Sequence, residues 1–216
     1  MDKAGNLKDR AYNLIKSKII KCEYLPNQFL VETELMKVVC ASRTPIREAL
    51  NKLEQDGLIT ILPKRGVMVN DITLAAVNEI FEVRFLIEPY MIQTYGKLIP
   101  EGVIKKQLEL VNEVGHAVYS ERGYIIDNEL HQLFINASGN AYFIDLMDKV
   151  YAQNHRLRIL SGMHQESRAK ETLIEHEQIL KFMLKKDYDK AADAMRTHLM
   201  NAKMSAIEAM MNYKGR

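Results

Sequence analysis

Apolar residues are spaced in two different ways along this chain. From Thr73 onward they recur every three or four positions, the period of a helix with one buried face. The pattern breaks near Pro100, Gly123, Gly139, Gly162 and Asp187, which predicts six helices over 73–98, 101–119, 122–137, 140–161, 168–185 and 188–212. Pro89 falls inside the first and should kink it. Before Asn70 the pattern is mixed. Leu7, Ala11, Leu14, Ile15, Ile19 and Cys22 share a helical face, and that helix should end before Tyr24-Leu25-Pro26-Asn27. A short helix follows over Glu32–Val39, then a turn over Cys40–Arg43. Thr44 is placed to cap a third helix, with Pro45 at its first position.

In that third helix Ile46, Ala49, Leu50 and Leu53 point inward, while Arg47, Asn51 and the preceding Arg43 point away. Two β-prone runs, Leu58–Leu62 and Val67–Val69, flank Pro63-Lys64-Arg65-Gly66 and read as a hairpin with a basic tip. Helix, short helix, turn, helix and basic hairpin is the order of a winged helix-turn-helix. The fold expected is therefore mainly α: an N-terminal winged helix-turn-helix over 1–70 followed by an all-α six-helix bundle over 71–216.

Composition changes this picture only when it is divided. The 216 residues are 47% hydrophobic and 27% charged, an ordinary globular mixture that argues against wholesale disorder. The net charge of +2 gives no hint of a nucleic-acid partner. Residues 1–70, however, hold 12 Lys/Arg against 8 Asp/Glu, a net of +4, and residues 71–216 hold 18 against 20, a net of −2. No apolar run reaches the roughly 18 residues of a spanning helix, and the first residues lack a signal peptide's apolar segment. A cytoplasmic protein with no membrane partner is expected. Cys22 and Cys40 form no C-x-x-C pair, so neither a disulfide framework nor a zinc ribbon is indicated.

Polar residues on apolar stripes supply the candidate chemistry. Asp127 and His131 are one helical turn apart and share a face with Tyr124 and Phe134. His176 lies between Leu173 and Leu180, and His198 between Met195 and Ala202. One carboxylate and three neutral imidazoles suit a borderline divalent cation, zinc first, with nickel, manganese or iron as alternatives. Hydrogen-bonded core histidines are the competing reading for each His taken singly. Among the other three, His116 sits with Asn112, Glu113 and Ser120 and reads as solvent-facing. His155 has a mixed face, and His164 follows Gly162 in a break.

Particular words sharpen both halves. Ser42-Arg43-Thr44-Pro45-Ile46-Arg47-Glu48-Ala49-Leu50, then Leu53-Glu54-Gln55-Asp56-Gly57-Leu58 and Pro63-Lys64-Arg65-Gly66, closely resemble the GntR family of bacterial transcription regulators. Leu25-Pro26 and Glu32-x-Glu34-Leu35 also fit. The resemblance implies that Arg43 and Arg47 read base edges, Thr44 bonds phosphate, and Gly66 lets the wing approach the minor groove. Lys64 and Arg65 form the basic tip beside them. Two departures stand out: Pro26-Asn27 replaces the usual Pro-Gly, and Thr33 stands where some members carry an Arg.

In the second half, Asp127-x-x-x-His131, Ala137-Ser138-Gly139-Asn140, Glu175-His176 with Ile179-Leu180, and Arg196-x-His198 resemble the FCD ligand-sensing domain of the FadR-type branch. Glu82–Pro89 resembles its first helix, and six helices rather than seven suggest the VanR-like subgroup. The resemblance implies a metal on Asp127, His131, His176 and His198, a small organic acid effector completing the coordination, and a homodimer on double-stranded operator DNA. Arg84 is a candidate to pair with an effector carboxylate, or else forms a surface pair with Glu88 one turn on. Arg156 and Arg158 are alternatives for the effector role. The alternative function, a metal-dependent hydrolase or oxygenase with an accessory DNA-binding module, lacks an inward acid or base beyond the ligands. It also lacks a G-x-S-x-G elbow. No enzyme activity is expected.

Overall fold

A computed structural model describes residues 7–114, 121–160 and 166–212. His116, His164, the break at Gly162 and the expected helix end at 119 lie outside the described residues. The chain divides into two units, Met1–Thr73 with His155–Leu160, and Leu74–Asn154 with Ser161–Arg216.

The N-terminal unit runs α1 (Leu7–Ile20), β1 (Phe29–Leu30), α2 (Glu32–Val39), α3 (Arg43–Gln55), β2 (Ile59–Leu62) and β3 (Gly66–Val69). Ile15 and Ile19 of α1, Leu35 of α2, and Ile46, Leu50 and Leu53 of α3 are fully or almost fully buried in one core. The predicted inward stripe of α3 is therefore the buried one, leaving Arg43, Thr44 and Arg47 exposed. The sheet order is β1-β3-β2, antiparallel throughout, with Ile59 opposite Val69 and Leu62 opposite Gly66. β1 is an addition to the predicted hairpin: Phe29 pairs with Met68 and Leu30 with Val67. Asn27 makes that pairing possible by adopting a φ of 63°, a left-handed conformation that Asn tolerates, and donating its N–H to the Val69 carbonyl.

The start of α3 differs from expectation. Ser42, with extended backbone at φ −74° and ψ 173°, is the N-cap, and it makes no side-chain capping bond. Thr44 is already helical, so it does not cap. Pro45 becomes the third helical residue, still within the first turn, where an N–H has no intrahelical acceptor to lose.

The second unit holds α4 (Leu74–Tyr95), a 3₁₀ turn (Gly96–Leu98), α5 (Glu101–Val114), α6 (Glu121–Asn136), α7 (Ala141–Leu160), α8 (Glu166–Leu184) and α9 (Tyr188–Asn212). α7 crosses the division, its end belonging to the first unit. α9 packs against α4 and α8, α5 against α6 and α8, and α4 against α6. The helical assignment of α4 is unbroken through Pro89. Gly96 is closely packed: a β-carbon there would meet Met183 Cε and Tyr188 Cδ1 at 3.0 Å, so those side chains would have to give way. Among the described residues no helix is long and apolar enough to cross a membrane.

Candidate functional site

α6, α8 and α9 bring His131, His176 and His198 to one place. The three rings are buried, and one nitrogen from each lies within 4.8 Å of the others. His176 Nε2 is 3.4 Å from His198 Nε2. Two imidazoles bound tetrahedrally to one zinc, each at about 2.0–2.1 Å, hold their donor atoms roughly 3.3 Å apart, so the spacing fits a shared ion. Burial pushes the His176 pKa well below its ordinary 6.5, with His198 adding to the effect. Burial lowers His198 as well. Neutral imidazoles are the form that binds a metal. Asp127 is not within the 4.8 Å group, yet its Oδ1 is 3.7 Å from His176 Nε2.

Carboxylates outside the predicted set orient two of these rings. Glu175 Oε2 lies 2.7 Å from His198 Nδ1, and Glu88 Oε2 lies 2.6 Å from His131 Nδ1. In each case Nδ1–H is placed to donate to the carboxylate, which leaves Nε2 as the lone-pair nitrogen. Glu175 is itself held by Arg168, whose Nη1 and Nη2 donate to its two oxygens at 2.9 and 2.8 Å, and by Asn201 at 2.7 Å. Burial opposes ionisation of both carboxyls, but their partners prevail. Arg84 and His131 bring Glu88 down to about 2, and His198 and Arg168 bring Glu175 down to about 2. Sequence offered one clue to this: Arg168 and Glu175 are two helical turns apart on one helix, hence on one face.

Arg84 does pair with Glu88, at 2.6 Å from Nε to Oε1, but not on the surface. Arg84 is 3% exposed and Glu88 fully buried, which overturns the surface reading of this pair. The Arg84 Nη2 also lies 3.3 Å from both ring nitrogens of His131. Tyr151 of α7 completes this side, with its ring 6.1 Å from that of His131 and 5.6 Å from Arg84 Cζ. His155, read as mixed, is half-buried. Arg156 is buried with its Nη2 donating to the Asn70 carbonyl.

In the N-terminal unit, Arg43 and Arg47 stand near the start of α3 with their side chains 60% and 61% exposed. Thr44 lies between them. Lys64, Arg65 and Gly66 are exposed in the β2–β3 turn, which is closed by a bond from Arg65 N–H to the Leu62 carbonyl. Gly66 has φ +106°, a conformation an L side chain rarely adopts.

Comparison with known proteins adds family to geometry. Residues 7–69 match the family described as bacterial regulatory proteins, gntR family, and residues 79–201 match the FCD domain. The chain belongs to the GntR family and carries an FCD domain. This GntR regulator is 30% identical over 193 residues to the HTH-type transcriptional regulator YdhC of Bacillus subtilis (strain 168), with 87% of this chain and 85% of the relative covered. A GntR regulator from Rhodococcus sp. RHA1 shares its fold with a TM-score of 0.79 at 20% identity, covering 96% of this chain and 99% of that one. The Zn²⁺-bound FCD domain of the regulator TM0439 has a TM-score of 0.56 at 22% identity, covering 67% of this chain and all of that one. The protein is accordingly a DNA-binding transcriptional regulator, not an enzyme.

Proposed function

We propose that this GntR regulator binds operator DNA as a homodimer through its N-terminal unit. Its FCD unit holds a divalent metal and a small organic acid that together set operator affinity. The observation that carries the sensing half is the buried meeting of three imidazole nitrogens within 4.8 Å, two of them oriented by carboxylates. His131, His176 and His198 would hold the ion, with Asp127 as the fourth ligand from one turn before His131. Zinc fits these donors first, and nickel, manganese or iron remain open. The zinc in the related FCD domain points the same way. The ion would supply a Lewis-acidic point for a carboxylate effector. Arg84, a buried guanidinium beside His131, would pair with that carboxylate.

On the DNA side, Arg43 and Arg47 would bond guanine edges in the major groove. Thr44, Lys64 and Arg65 would meet phosphates, and Gly66 would let the wing backbone come close. The effector acts by binding one arrangement of the dimer better than another.

Elemental analysis of the purified protein tests the metal: about one ion per chain is expected, lost in a His176→Ala/His198→Ala variant. Unchanged metal content would make the cluster structural. Thermal shifts against a panel of organic acids, with and without chelator, then separate sensing from clamping. A sensor gains acid-dependent stability only when metal is present.

A further inference from the structure

Glu32, the first residue of α2, touches both arginines of the DNA-facing helix. Its two carboxylate oxygens are each 3.2 Å from Arg47 Nε, and its Oε2 is 3.7 Å from Arg43 Nε. Both contacts use the inner guanidinium nitrogen. Among the described residues, the terminal Nη groups of these two arginines meet no hydrogen-bond partner. We infer that Glu32 is a positioning residue for base reading: it holds the inner nitrogen of Arg47 by hydrogen bonds, draws that of Arg43 by charge, and leaves their terminal forks for the base edge. This inference rests on the base-reading role of Arg43 and Arg47 proposed above.

The chemistry has two parts. A guanidinium carries five N–H donors, and a guanine edge needs two of them. Holding Nε therefore costs the contact nothing and removes freedom from two long side chains before DNA arrives, which lowers the ordering cost of binding. The same carboxylate also repels phosphate. On a correct site the arginines keep Glu32 neutralised while they reach the bases. On an unrelated sequence they swing to phosphates and leave an uncompensated anion facing the backbone. Glu32 thus strengthens binding to the right sequence and weakens it everywhere else.

The test uses the full-length protein and two duplexes of equal length. One is selected from a randomised library by the wild-type protein, and the other is unrelated. Kd for each is read by fluorescence anisotropy. Glu32→Gln should weaken binding to the selected duplex and leave or tighten binding to the unrelated one, so that their ratio falls by about tenfold. Glu32→Asp keeps the charge but shortens the reach, so its ratio should fall while the unrelated duplex is bound as before. In an Arg47→Ala background, Glu32→Gln should change the ratio by less than about twofold. A ratio unchanged in both Glu32 variants, or equal weakening on both duplexes, overturns the inference while leaving the base-reading role intact. If Arg47→Ala itself retains discrimination, the base-reading role fails, and the inference fails with it.

Discussion

His176 and His198 are buried without charge, and this makes the FCD unit sensitive to acid when no metal is bound. In the unfolded chain these imidazoles take up protons near 6.5, whereas in the folded one they resist protonation to lower pH. The unfolded state then holds more protons, so stability falls as pH drops below 6.5. A second loss follows below 4.5, as the unfolded chain protonates carboxyls that the fold keeps ionised down to about 2 at Glu88 and Glu175. Urea midpoints of chelator-treated protein on either side of pH 6.5 should show the first loss, and His176→Gln should reduce it. A flat profile across that range would mean the imidazoles are solvated. At the same scale, Glu175→Gln weakens the acceptor that orients His198, and zinc affinity should fall by about 10–100-fold in a chelator competition. Equal affinity would show that the ring needs no such support. Glu88 escaped sequence reading because an opposite charge four residues away normally marks a solvated pair. Beside Arg84 it has a second partner, His131, which lies 43 residues along the chain.

At the level of elements, local pattern carried the helices well, because each has a buried stripe at helical spacing. The stripe of Ile46, Ala49, Leu50 and Leu53 predicted which side of α3 faces out. It did not predict the first residue of α3, because Ser42 and Thr44 are both good caps by type and only the backbone angles choose between them. β1 was illegible for another reason: two residues have no periodicity, and only their pairing with β3 makes them a strand. The β2–β3 turn is the element most exposed to a single change. At φ +106° a β-carbon at position 66 meets no atom closer than 4.0 Å, so its cost is backbone strain rather than a clash. Gly66→Ala should destabilise the N-terminal unit by about 1–3 kcal/mol in denaturant unfolding. An unshifted midpoint would show that the turn has a relaxed alternative.

Across the whole molecule, the division of charge found in the sequence becomes a division of labour. The unit with the net positive charge carries the exposed Arg43, Arg47, Lys64 and Arg65, and the mildly acidic unit carries the imidazole cluster. DNA affinity should fall linearly with salt on logarithmic axes. Lys64→Ala or Arg65→Ala should each reduce that slope by about 1 while weakening binding to all sequences alike. A slope that stays put would remove the wing from the phosphate contacts. The polar run Gln153–Arg156 interrupts the apolar spacing of α7 at the division, but an interruption alone does not say that the helix end belongs to the other unit.

That shared helix bears on how the protein can be taken apart. A fragment ending at Thr73 contains every element of the winged helix, yet it omits His155–Leu160, which belong to the same unit. Leu157 and Arg156 are fully buried there, and Arg156 donates to the carbonyl of Asn70. Cut free, the fragment would lose a donor to its last strand's flank. The N-terminal unit of this regulator is therefore discontinuous in sequence, and a cut after Thr73 would part Asn70 from the donor that Arg156 supplies.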